Sequence, residues 1–292
     1  MSRHVNILSL FDGLAAAYIA LHAVGIGWCT YYASEIDKHA IQVACHNYTD
    51  IIQLGDIHNV KAAVIPQPFL LIGGSPCQNL SCRGDKTGLR GEKSGLFFEY
   101  VRLLRETQPK YFLLENVASM SKKNRDIISS HMHVDPIMIN SHCFVPQTRR
   151  RYYWTNIPVV LPPDIPTTET VQGILEANVD DKFFYNKHAK ERSFWLNSYN
   201  SKPMADLPIA RPLKTQSYTG RASADNCYHV KQRPKDKTRT QLRRLTPREY
   251  EKLQGIPVDY TAGITDTHRY KLVGNSFTVP VIEYILSHLN WA

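Results

Sequence analysis

The chain has 292 residues, of which 43% are apolar, and this is enough to build one large domain or one large and one small domain. Lysine and arginine outnumber aspartate and glutamate by 35 to 26, so a polyanion is one candidate partner, although charge that only keeps the protein in solution would look the same. No apolar run reaches the roughly 18 residues that cross a bilayer, and Asp12 interrupts the first apolar run too early for a signal sequence, so we expect an intracellular protein with no membrane segment.

The six cysteines are scattered, without a CxxC pair and without a cysteine and histidine grouping at zinc spacing. We expect most of them to be reduced and buried. His131 and His133 flank Met132, but no third ligand lies near them in the sequence, and we expect no metal site.

The first half of the chain alternates apolar runs with helical patterns. Strands are predicted for VNILSLF (5–11), CTYYASEI (29–36), IIQLGDI (51–57), FLLIGG (69–74) and KYFLLENV (110–117). Helices are predicted for AAAYIALHAVG (15–25), HAIQVACHNY (39–48) and SGLFFEYVRLLRETQP (94–109). Repeated β-α-β units predict an α/β fold with a mainly parallel sheet flanked by helices. Ligands bind such sheets at the carboxyl ends of the strands.

The pattern changes near residue 158, where the proline-rich stretch IPVVLPPDIPTTET indicates an extended connector. The residues up to about 240 are polar and aromatic, and KQRPKDKTRTQLRR (231–244) is either a solvated basic loop or a nucleic-acid contact. A helix is predicted from RLTPREYEKLQG, with Thr246 as N-cap, Pro247 at the first helical position and Glu249 at the third. FTVPVIEYILSHL predicts a last helix.

Polar residues and a tight turn follow the first three predicted strands. FDGLAAA is a turn that opens a helix, where Gly13 permits close approach of a ligand. Glu35 stands where a carboxylate would accept hydrogen bonds from ribose hydroxyls, and Asp56 where one would accept from an adenine amino group. Each acid taken alone fits a helix cap equally well, but the acids at successive strand ends together favour a nucleoside cofactor.

A thiol and a carboxylate follow the next two strands. Cys77 lies in the turn after FLLIGG, and Glu115 ends KYFLLENV, so the two side chains could meet as nucleophile and acid. In FVPQTRRRYYW, which reads as a strand, Arg149 and Arg151 are predicted to point to one face and Arg150 to the other. Two arginines on one face suit an oxygen-rich group such as a base carbonyl or a phosphate.

The ordered motifs FDG, PCQ, ENV, QTRRR, RLTPRE and GNS, from residue 11 to residue 276, resemble those of the cytosine-5 DNA methyltransferases. SLFDGLAAAYIAL, YYASEID and GNSFTVPVIEYIL look closest to small phage enzymes and to the catalytic domain of the vertebrate de novo methyltransferases. The resemblance implies a Rossmann-like S-adenosylmethionine-dependent methyltransferase fold with a small target-recognition domain.

The same resemblance implies the chemistry. Cys77 would add to C6 of a cytosine flipped out of double-stranded DNA, and Glu115 would hydrogen-bond N3. Arg151, supported by Arg149, would bind the O2 edge. C5 would take its methyl group from S-adenosylmethionine, which leaves S-adenosylhomocysteine.

Further roles carry over from the family's motifs. Residues implied at the cofactor are Phe11, Asp12, Gly13, Leu14, Glu35, Ile36, Asp56, Ile57, Pro76, Asn275 and Ser276. Residues implied at DNA are Gln78, Ser81, Arg83, Lys231, Arg233 and Lys235. The chain would divide into a catalytic and cofactor-binding domain (1–158), a target-recognition region (159–241) and a C-terminal segment that returns to the catalytic domain (242–292). One departure is Ala15, which stands where many members carry a second glycine.

Three alternatives stay open from the sequence. The first is an RNA methyltransferase of the same family, whose usual CFT tripeptide is absent here. The second is a catalytically silent regulator, although Cys77, Glu115 and Arg151 are all present. The third is an enzyme that transfers a different one-carbon group. The compact chain suits a phage or bacterial enzyme acting in the bacterial or infected host cytoplasm, with or without a restriction partner. The oligomeric state is open, with a monomer favoured.

Overall fold

A seven-stranded sheet organises the fold in the computed structural model, which describes residues 4–76, 92–186, 208–210, 212–213, 229–231, 235 and 239–291. The strands are β1 (Val5–Leu10), β2 (Cys29–Ser34), β3 (Ile52–Gln53), β4 (Leu70–Gly74), β5 (Tyr111–Val117), β6 (Ile137–Asn140) and β7 (Arg150–Thr155). Their order across the sheet is β3-β2-β1-β4-β5-β7-β6, and only β7 runs antiparallel to its neighbours. The predicted α/β fold with a mainly parallel sheet is confirmed.

Helices flank the sheet and connect its strands. The α-helices that the structure describes are α1 (Ala16–Ala23), α2 (Lys38–Asn47), α3 (Glu92–Thr107), α4 (Lys122–Met132), α5 (Val171–Ile174), α6 (Pro247–Leu253), α7 (Asp266–Asn275) and α8 (Val279–Leu286). Each of the first four follows a strand of the sheet, and α8 packs against α1. In the ranges above, no helix is both long enough and apolar enough to cross a membrane.

The central strands are apolar on both faces because helices cover both sides of the sheet. Ile7, Leu8 and Leu10 of β1 and the leucines of β4 are fully buried. The tight packing has a backbone consequence at Gly73, which lies beside Leu10 in the parallel register of β4 and β1. A Cβ at Gly73 would lie 2.8 Å from the carbonyl oxygen of Leu10 and 3.2 Å from the ring of Tyr100.

The third strand is much shorter than the predicted span 51–57. It pairs with β2 only at Ile52 and Gln53. Gly55 then takes a left-handed conformation with φ 73°, and Asp56 caps a short 3₁₀ helix, Ile57–Asn59. The apolar run therefore ends at a turn that the period-two pattern alone does not reveal.

Contacts divide the chain into two compact units that are not continuous in sequence. The first consists of Met1–Asn140, Arg150–Pro163 and Val279–Ala292, and the second of Ser141–Arg149 and Asp164–Thr278. The seven-stranded sheet lies within the first unit. Of the predicted C-terminal segment 242–292, only the part from Val279 onward belongs to the first unit by these contacts.

The second unit contains an antiparallel sheet of three described strands in the order β8-β10-β9: β8 (Phe184–Asn186), β9 (His229–Lys231) and β10 (Arg239–Arg244). Helix α6 follows β10 and begins as predicted, with Thr246 as N-cap and Glu249 completing a capping box. Glu249 also accepts two hydrogen bonds from Arg243, at 2.7 and 2.8 Å, and both side chains are fully buried. This ion pair joins the last strand of the small sheet to the start of α6.

Candidate active site

The turn after β1 has an unusual backbone. Phe11, Gly13 and Ala15 all have positive φ angles, of 57°, 62° and 66°. Such angles are unfavourable for residues with a side chain and persist where the surrounding structure imposes them, often at ligand sites. The backbone N–H of Gly13 donates to Glu35 Oε2 at 2.8 Å, which ties this turn to the end of β2.

Asp12 is buried inside the same turn. Its Oδ1 accepts hydrogen bonds from Ser9 Oγ and from the hydroxyl of Tyr31, both at 2.6 Å. Its Oδ2 is buried and has no hydrogen-bond partner within the described part of the chain. Burial raises the pKa of this carboxyl from an ordinary 3.8 to about 7, against the opposing effect of the two hydrogen bonds. Asp12 therefore stays protonated in mildly acidic solution and loses its proton near neutral pH.

Glu35 organises the backbone that follows β2. Besides Gly13, it accepts hydrogen bonds at Oε1 from the N–H groups of Ile36, at 2.7 Å, and Asp37, at 2.8 Å. A carboxylate oxygen can accept more than one hydrogen bond, so these contacts leave capacity for ribose hydroxyls. Ile36, which is 73% exposed, stands beside the carboxylate as an uncovered apolar surface.

Asp56 lies exposed after β3. Its Oδ1 accepts from the backbone N–H of His58 at 3.0 Å and is 2.8 Å from Nδ1 of the same histidine. The backbone hydrogen bond, followed by the interaction with the His58 side chain, lowers the pKa of Asp56. Its predicted role at an adenine amino group requires a carboxylate that accepts, and this ionised form can do so. Ile57 beside it is buried.

The strand order brings these residues to one edge of the sheet. Since β3, β2, β1 and β4 are adjacent and parallel, their carboxyl ends lie side by side, and Asp56, Glu35, the Phe11 turn and Pro76 follow those ends in that order. Leu14 is buried behind the turn. Asn275 is exposed and Ser276 is buried in the second unit, where Ser276 Oγ donates to the carbonyl of Val273.

The end of β4 is anchored to β5 by Asn116. Its side-chain amide is buried and donates to the backbone oxygen of Ser75 at 3.2 Å and to Ser75 Oγ at 3.0 Å. Gly74 pairs with Glu115 in the register of the two strands. Ser75 and Pro76 are thus held beside the end of β5, immediately before Cys77, which itself lies outside the described residues.

Glu115 and Arg151 form an ion pair across β5 and β7. Arg151 Nε lies 2.6 Å from Glu115 Oε1, and the side chains of Arg151 and Glu115 are 15% and 14% exposed. The antiparallel register places Val117 opposite Arg151, which brings the arginine back over the end of β5. A carboxylate and a guanidinium held together at a strand end offer an acceptor and several donors to a planar polar ligand.

Arg149 has different partners from Arg151. It precedes β7, is 5% exposed, and donates from one terminal nitrogen to the carbonyls of Gly274 at 3.1 Å and Ser276 at 3.0 Å. All three residues belong to the second unit. Arg149 therefore holds the backbone on either side of Asn275.

Two positioning residues, Asn116 and Gln147, lie in motifs that the sequence identified but were given no role there. Asn116 lay within the ENV motif, but its contact with Ser75 depends on the pairing of β4 and β5. Gln147 is fully buried; its amide donates to the carbonyl of Leu253 at 2.7 Å, and its oxygen accepts from the N–H of Leu213 at 3.0 Å. Neither contact follows from local sequence, because the partners are distant along the chain.

The residues predicted at DNA are only partly described. Cys77, Gln78, Ser81, Arg83 and Arg233 lie outside the described residues. Lys231 belongs to β9. Lys235 is exposed, and its backbone N–H donates to Asp181 Oδ1 at 3.0 Å. The DNA-contact roles of all of these residues stay predictions.

Comparison with known families identifies the class. A sequence model of the C-5 cytosine-specific DNA methylase family matches residues 5–291, so the chain belongs to this family. It is an enzyme of the DNA (cytosine-5-)-methyltransferase class, which transfers a methyl group to C5 of cytosine in DNA.

Two type II methyltransferases match the chain over nearly its whole length, and a phage methyltransferase matches about half of it. The type II methyltransferase M1.ScrFI of Lactococcus lactis subsp. cremoris is 28% identical over 299 residues, covering 96% of this chain and 76% of the relative. The type II methyltransferase M.Bsp6I of Bacillus sp. (strain RFL6) is 27% identical over 315 residues, covering 98% of each chain. The orphan methyltransferase M.SPRI of Bacillus phage SPR is 35% identical over 161 residues, covering 51% of this chain and 37% of the relative.

Solved structures share the fold. The Entamoeba histolytica methyltransferase EhMeth superposes with a TM-score of 0.75 at 18% identity, covering 98% of each chain. The Dnmt2 methyltransferase of S. pombe superposes with a TM-score of 0.72 at 18% identity, covering 97% of each chain. The architecture is that of the Rossmann-like S-adenosylmethionine-dependent methyltransferases.

Proposed function

We propose that this enzyme methylates C5 of cytosine within a short sequence context of double-stranded DNA, by flipping the base out of the helix and adding Cys77 covalently to C6. The observation that carries the proposal is the Glu115–Arg151 ion pair, with 2.6 Å between Arg151 Nε and Glu115 Oε1, beside the strand end that leads into Cys77.

The ion pair suits the edge of a cytosine ring. C5 of cytosine is a weak nucleophile and becomes reactive when a thiolate adds to C6. Glu115, once it has taken up a proton from solvent, hydrogen-bonds N3 and passes that proton to N3 during the addition. Arg151 donates to O2, where negative charge develops. In the ligand-free pair, the two groups neutralise each other until the base separates them.

Cys77 forms a covalent bond to the base and is released unchanged at the end of the cycle. Its sulfur forms a bond to C6 as N3 takes up a proton, and the electron pair of the ring becomes available at C5. After C5 has been methylated, the C5 proton is lost to a solvent base, and the N3 proton returns to Glu115 as the ring double bond re-forms and the C6–S bond breaks. Cys77 leaves as a thiolate and the product is 5-methylcytosine.

The strand ends at β1 to β4 fit S-adenosylmethionine, which supplies an electrophilic methyl group when bound. The fit rests on the left-handed turn at Phe11 and Gly13 and on the acceptors Glu35 and Asp56 at adjacent strand ends. Glu35 would bind the ribose hydroxyls and Asp56 the adenine amino group, and Ile36, which is exposed, would offer an apolar contact to the adenine. The motif GNS implies that Asn275 and Ser276, on the backbone that Arg149 holds, would also bind the cofactor.

Base flipping gives the loop after Cys77 its role. A cytosine inside a stacked duplex cannot reach a thiol, so the base must rotate out of the helix. The segment from Gln78 to Glu92 closes over DNA, and Arg83 fills the space that the base leaves. Residues 159–241 read the target sequence, with Lys231, Arg233 and Lys235 on the phosphates. The residues 1–158 carry the catalytic and cofactor groups.

The test is direct detection of the product. The purified enzyme is incubated with S-adenosylmethionine bearing a deuterated methyl group and with either duplex DNA or RNA, and the nucleosides are analysed by mass spectrometry. Deoxycytidine with a deuterated methyl group at C5 should form from DNA, with no labelled cytidine from RNA, and Cys77→Ala and Glu115→Gln should each lower the rate by at least about a hundredfold. Cys45→Ala and Glu169→Gln, which change a half-buried cysteine and an exposed glutamate elsewhere, serve as matched controls.

Other outcomes separate the alternatives. Product in RNA alone would move the enzyme to the RNA branch of the family. Absence of product in both substrates, with retained DNA binding, would favour a silent regulator. Full activity in Cys77→Ala would refute the covalent mechanism while leaving the methyl transfer intact.

A further inference from the structure

A mixed cluster of metal-ligating side chains lies in the second unit, apart from the residues assigned to catalysis. The chain between β6 and β7 forms a short 3₁₀ helix, Ser141–Cys143. His142 and Cys143 of this turn and Asp164 of the proline-rich connector offer one nitrogen, one sulfur and one oxygen, and these three ligand atoms lie within 4.8 Å of one another. Among the residues that the structure describes, this is the group of three that has such a geometry.

The cluster is accessible from solvent on one side. The side chain of His142 is 15% exposed and that of Asp164 is 72% exposed, while Cys143 is half-buried and is not in a disulfide. His142 Nε2 and Asp164 Oδ1 are 2.6 Å apart, a hydrogen-bond distance. Two ligands of one tetrahedral ion lie farther apart, roughly 3.3 Å, so the exposed aspartate must rotate slightly to admit a metal.

The ligand types select the kind of ion. Thiolate and imidazole suit zinc and cobalt, whereas calcium and magnesium prefer sites made of oxygen alone. Three protein ligands and an exposed fourth side match a tetrahedral ion that keeps one water molecule. We propose that His142, Cys143 and Asp164 form a binding site for a zinc-type divalent cation.

An ion at this cluster would link two segments of the chain, the proline-rich connector and the turn that follows β6. The backbone oxygen of His142 already accepts from the N–H of Thr167 at 2.7 Å, so the connector runs along the turn. Ser141 closes the turn on its other side, because its N–H donates to the carbonyl of Arg149 and its hydroxyl to the carbonyl of Gln147. An ion bound here fixes the connector to the turn that carries Gln147 and Arg149.

The test measures metal binding directly by absorption spectroscopy, so the result does not depend on the enzyme's activity. Cobalt(II) is titrated into the Cys77→Ser enzyme, which removes the catalytic thiol as a competing ligand, and the cobalt–thiolate charge-transfer absorption and the tetrahedral ligand-field bands are recorded. Zinc is then added to displace the cobalt. One equivalent should bind, and zinc should raise the unfolding temperature of the same protein, because it binds the folded state.

Ligand variants decide whether the bound ion is at this site. Cys143→Ser should abolish the charge-transfer band, and His142→Gln and Asp164→Asn should each weaken binding by at least about tenfold. Cys45→Ser and Asp135→Asn are the matched controls and should bind as the parent does. Asp164 and Asp135 are both on the surface, so these two variants keep the fold and remain informative if His142→Gln does not. No binding, or binding that persists in Cys143→Ser, would overturn the proposal.

Discussion

Asp12 illustrates how a single residue links the site to pH. Burial raises the pKa of its carboxyl from 3.8 to about 7, so the folded protein keeps a proton that the unfolded chain releases between these values. The free energy of unfolding contributed by this group is therefore largest in acid and falls as the pH rises toward 7. Above that pH the carboxylate is ionised in both states and the loss is complete.

Replacing Asp12 with asparagine removes this dependence. The side-chain amide in Asp12→Asn can still accept from Ser9 and Tyr31 and does not titrate. We expect the variant to gain stability relative to the wild type by about 2 to 3 kcal/mol between roughly pH 5 and pH 8. Urea unfolding of the ligand-free proteins at these two pH values measures the change. A difference that does not vary with pH would contradict the assignment of a neutral Asp12.

Ala15, where the motif resemblance predicts a glycine, has a left-handed backbone conformation. Its φ of 66° costs about 1 kcal/mol for a residue with a Cβ, and glycine would relieve this cost. The buried methyl group lost in Ala15→Gly is worth a similar amount, so we expect a change within about 1 kcal/mol. Ala17→Gly, at a buried position inside α1, should cost about 2 kcal/mol because it loses both the methyl group and helix propensity. Thermal unfolding measures the stability of both variants. An equal loss of stability in Ala15→Gly and Ala17→Gly would show that the backbone at Ala15 is not strained.

Local chemistry predicted some residue contacts from the sequence and missed others. The capping box of Thr246 and Glu249 follows from four adjacent residues and was confirmed. The buried partner of Glu249, Arg243, was not predicted, although it is close in the chain, because the pairing depends on the bend between β10 and α6. The pairing of Glu115 with Arg151 likewise requires the antiparallel register of β5 and β7.

At the scale of elements, the close contact between β1 and β4 requires a glycine at position 73. A Cβ at Gly73 would lie 2.8 Å from a backbone oxygen of β1, which cannot move without disturbing the central pair of strands. We expect Gly73→Ala to destabilise the protein by about 2 kcal/mol or more. The unfolding midpoint in urea measures this loss.

The control for Gly73 is Gly95 in α3, where an added Cβ meets nothing within 4 Å. Gly95→Ala should leave the stability unchanged or raise it by up to about 1 kcal/mol, since alanine favours a helix. A Gly73→Ala protein as stable as Gly95→Ala would show that the two strands can separate without cost.

Periodicity predicted the elements better than their ends or their order. The apolar runs of β1, β2, β4 and β5 are long and buried, and the predicted strands were found within one or two residues. The run 51–57 failed to extend because Gly55 and Asp56 turn the chain. The insertion of antiparallel β7 between β5 and β6 arises from long-range pairing, which has no local signal.

At the scale of the whole molecule, contacts group segments that are distant in sequence. The prediction of a boundary near residue 158 used the proline-rich connector, and the first unit extends to Pro163 there. The assignment of Ser141–Arg149 to the second unit has no compositional signal, since it depends on buried contacts such as those of Gln147. Composition therefore locates the connector, but it does not show which segments of the chain pack together in the same unit.

The buried ion pair tests the integrity of the second unit. Arg243 and Glu249 are both fully buried, and removal of one side chain takes away the opposite charge that balances the other inside the protein. We expect Glu249→Ala to cost about 3 to 5 kcal/mol, whereas Asp126→Asn, in an exposed pair with Arg125, should cost less than about 1 kcal/mol. Chemical unfolding followed by circular dichroism measures both. A small loss for Glu249→Ala would show that water reaches the pair.

The central claim is that Cys77 attacks a flipped cytosine in DNA. The most direct measurement uses duplexes containing 5-fluorocytosine in varied contexts, with S-adenosylmethionine, followed by digestion and peptide mass spectrometry. Fluorine at C5 cannot leave as a proton does, so elimination is blocked and the enzyme should remain bonded to its target. The account predicts a DNA adduct on the peptide containing Cys77, absent in Cys77→Ala and present in Cys45→Ala. An adduct on another residue, or methylated DNA with no adduct, would contradict it.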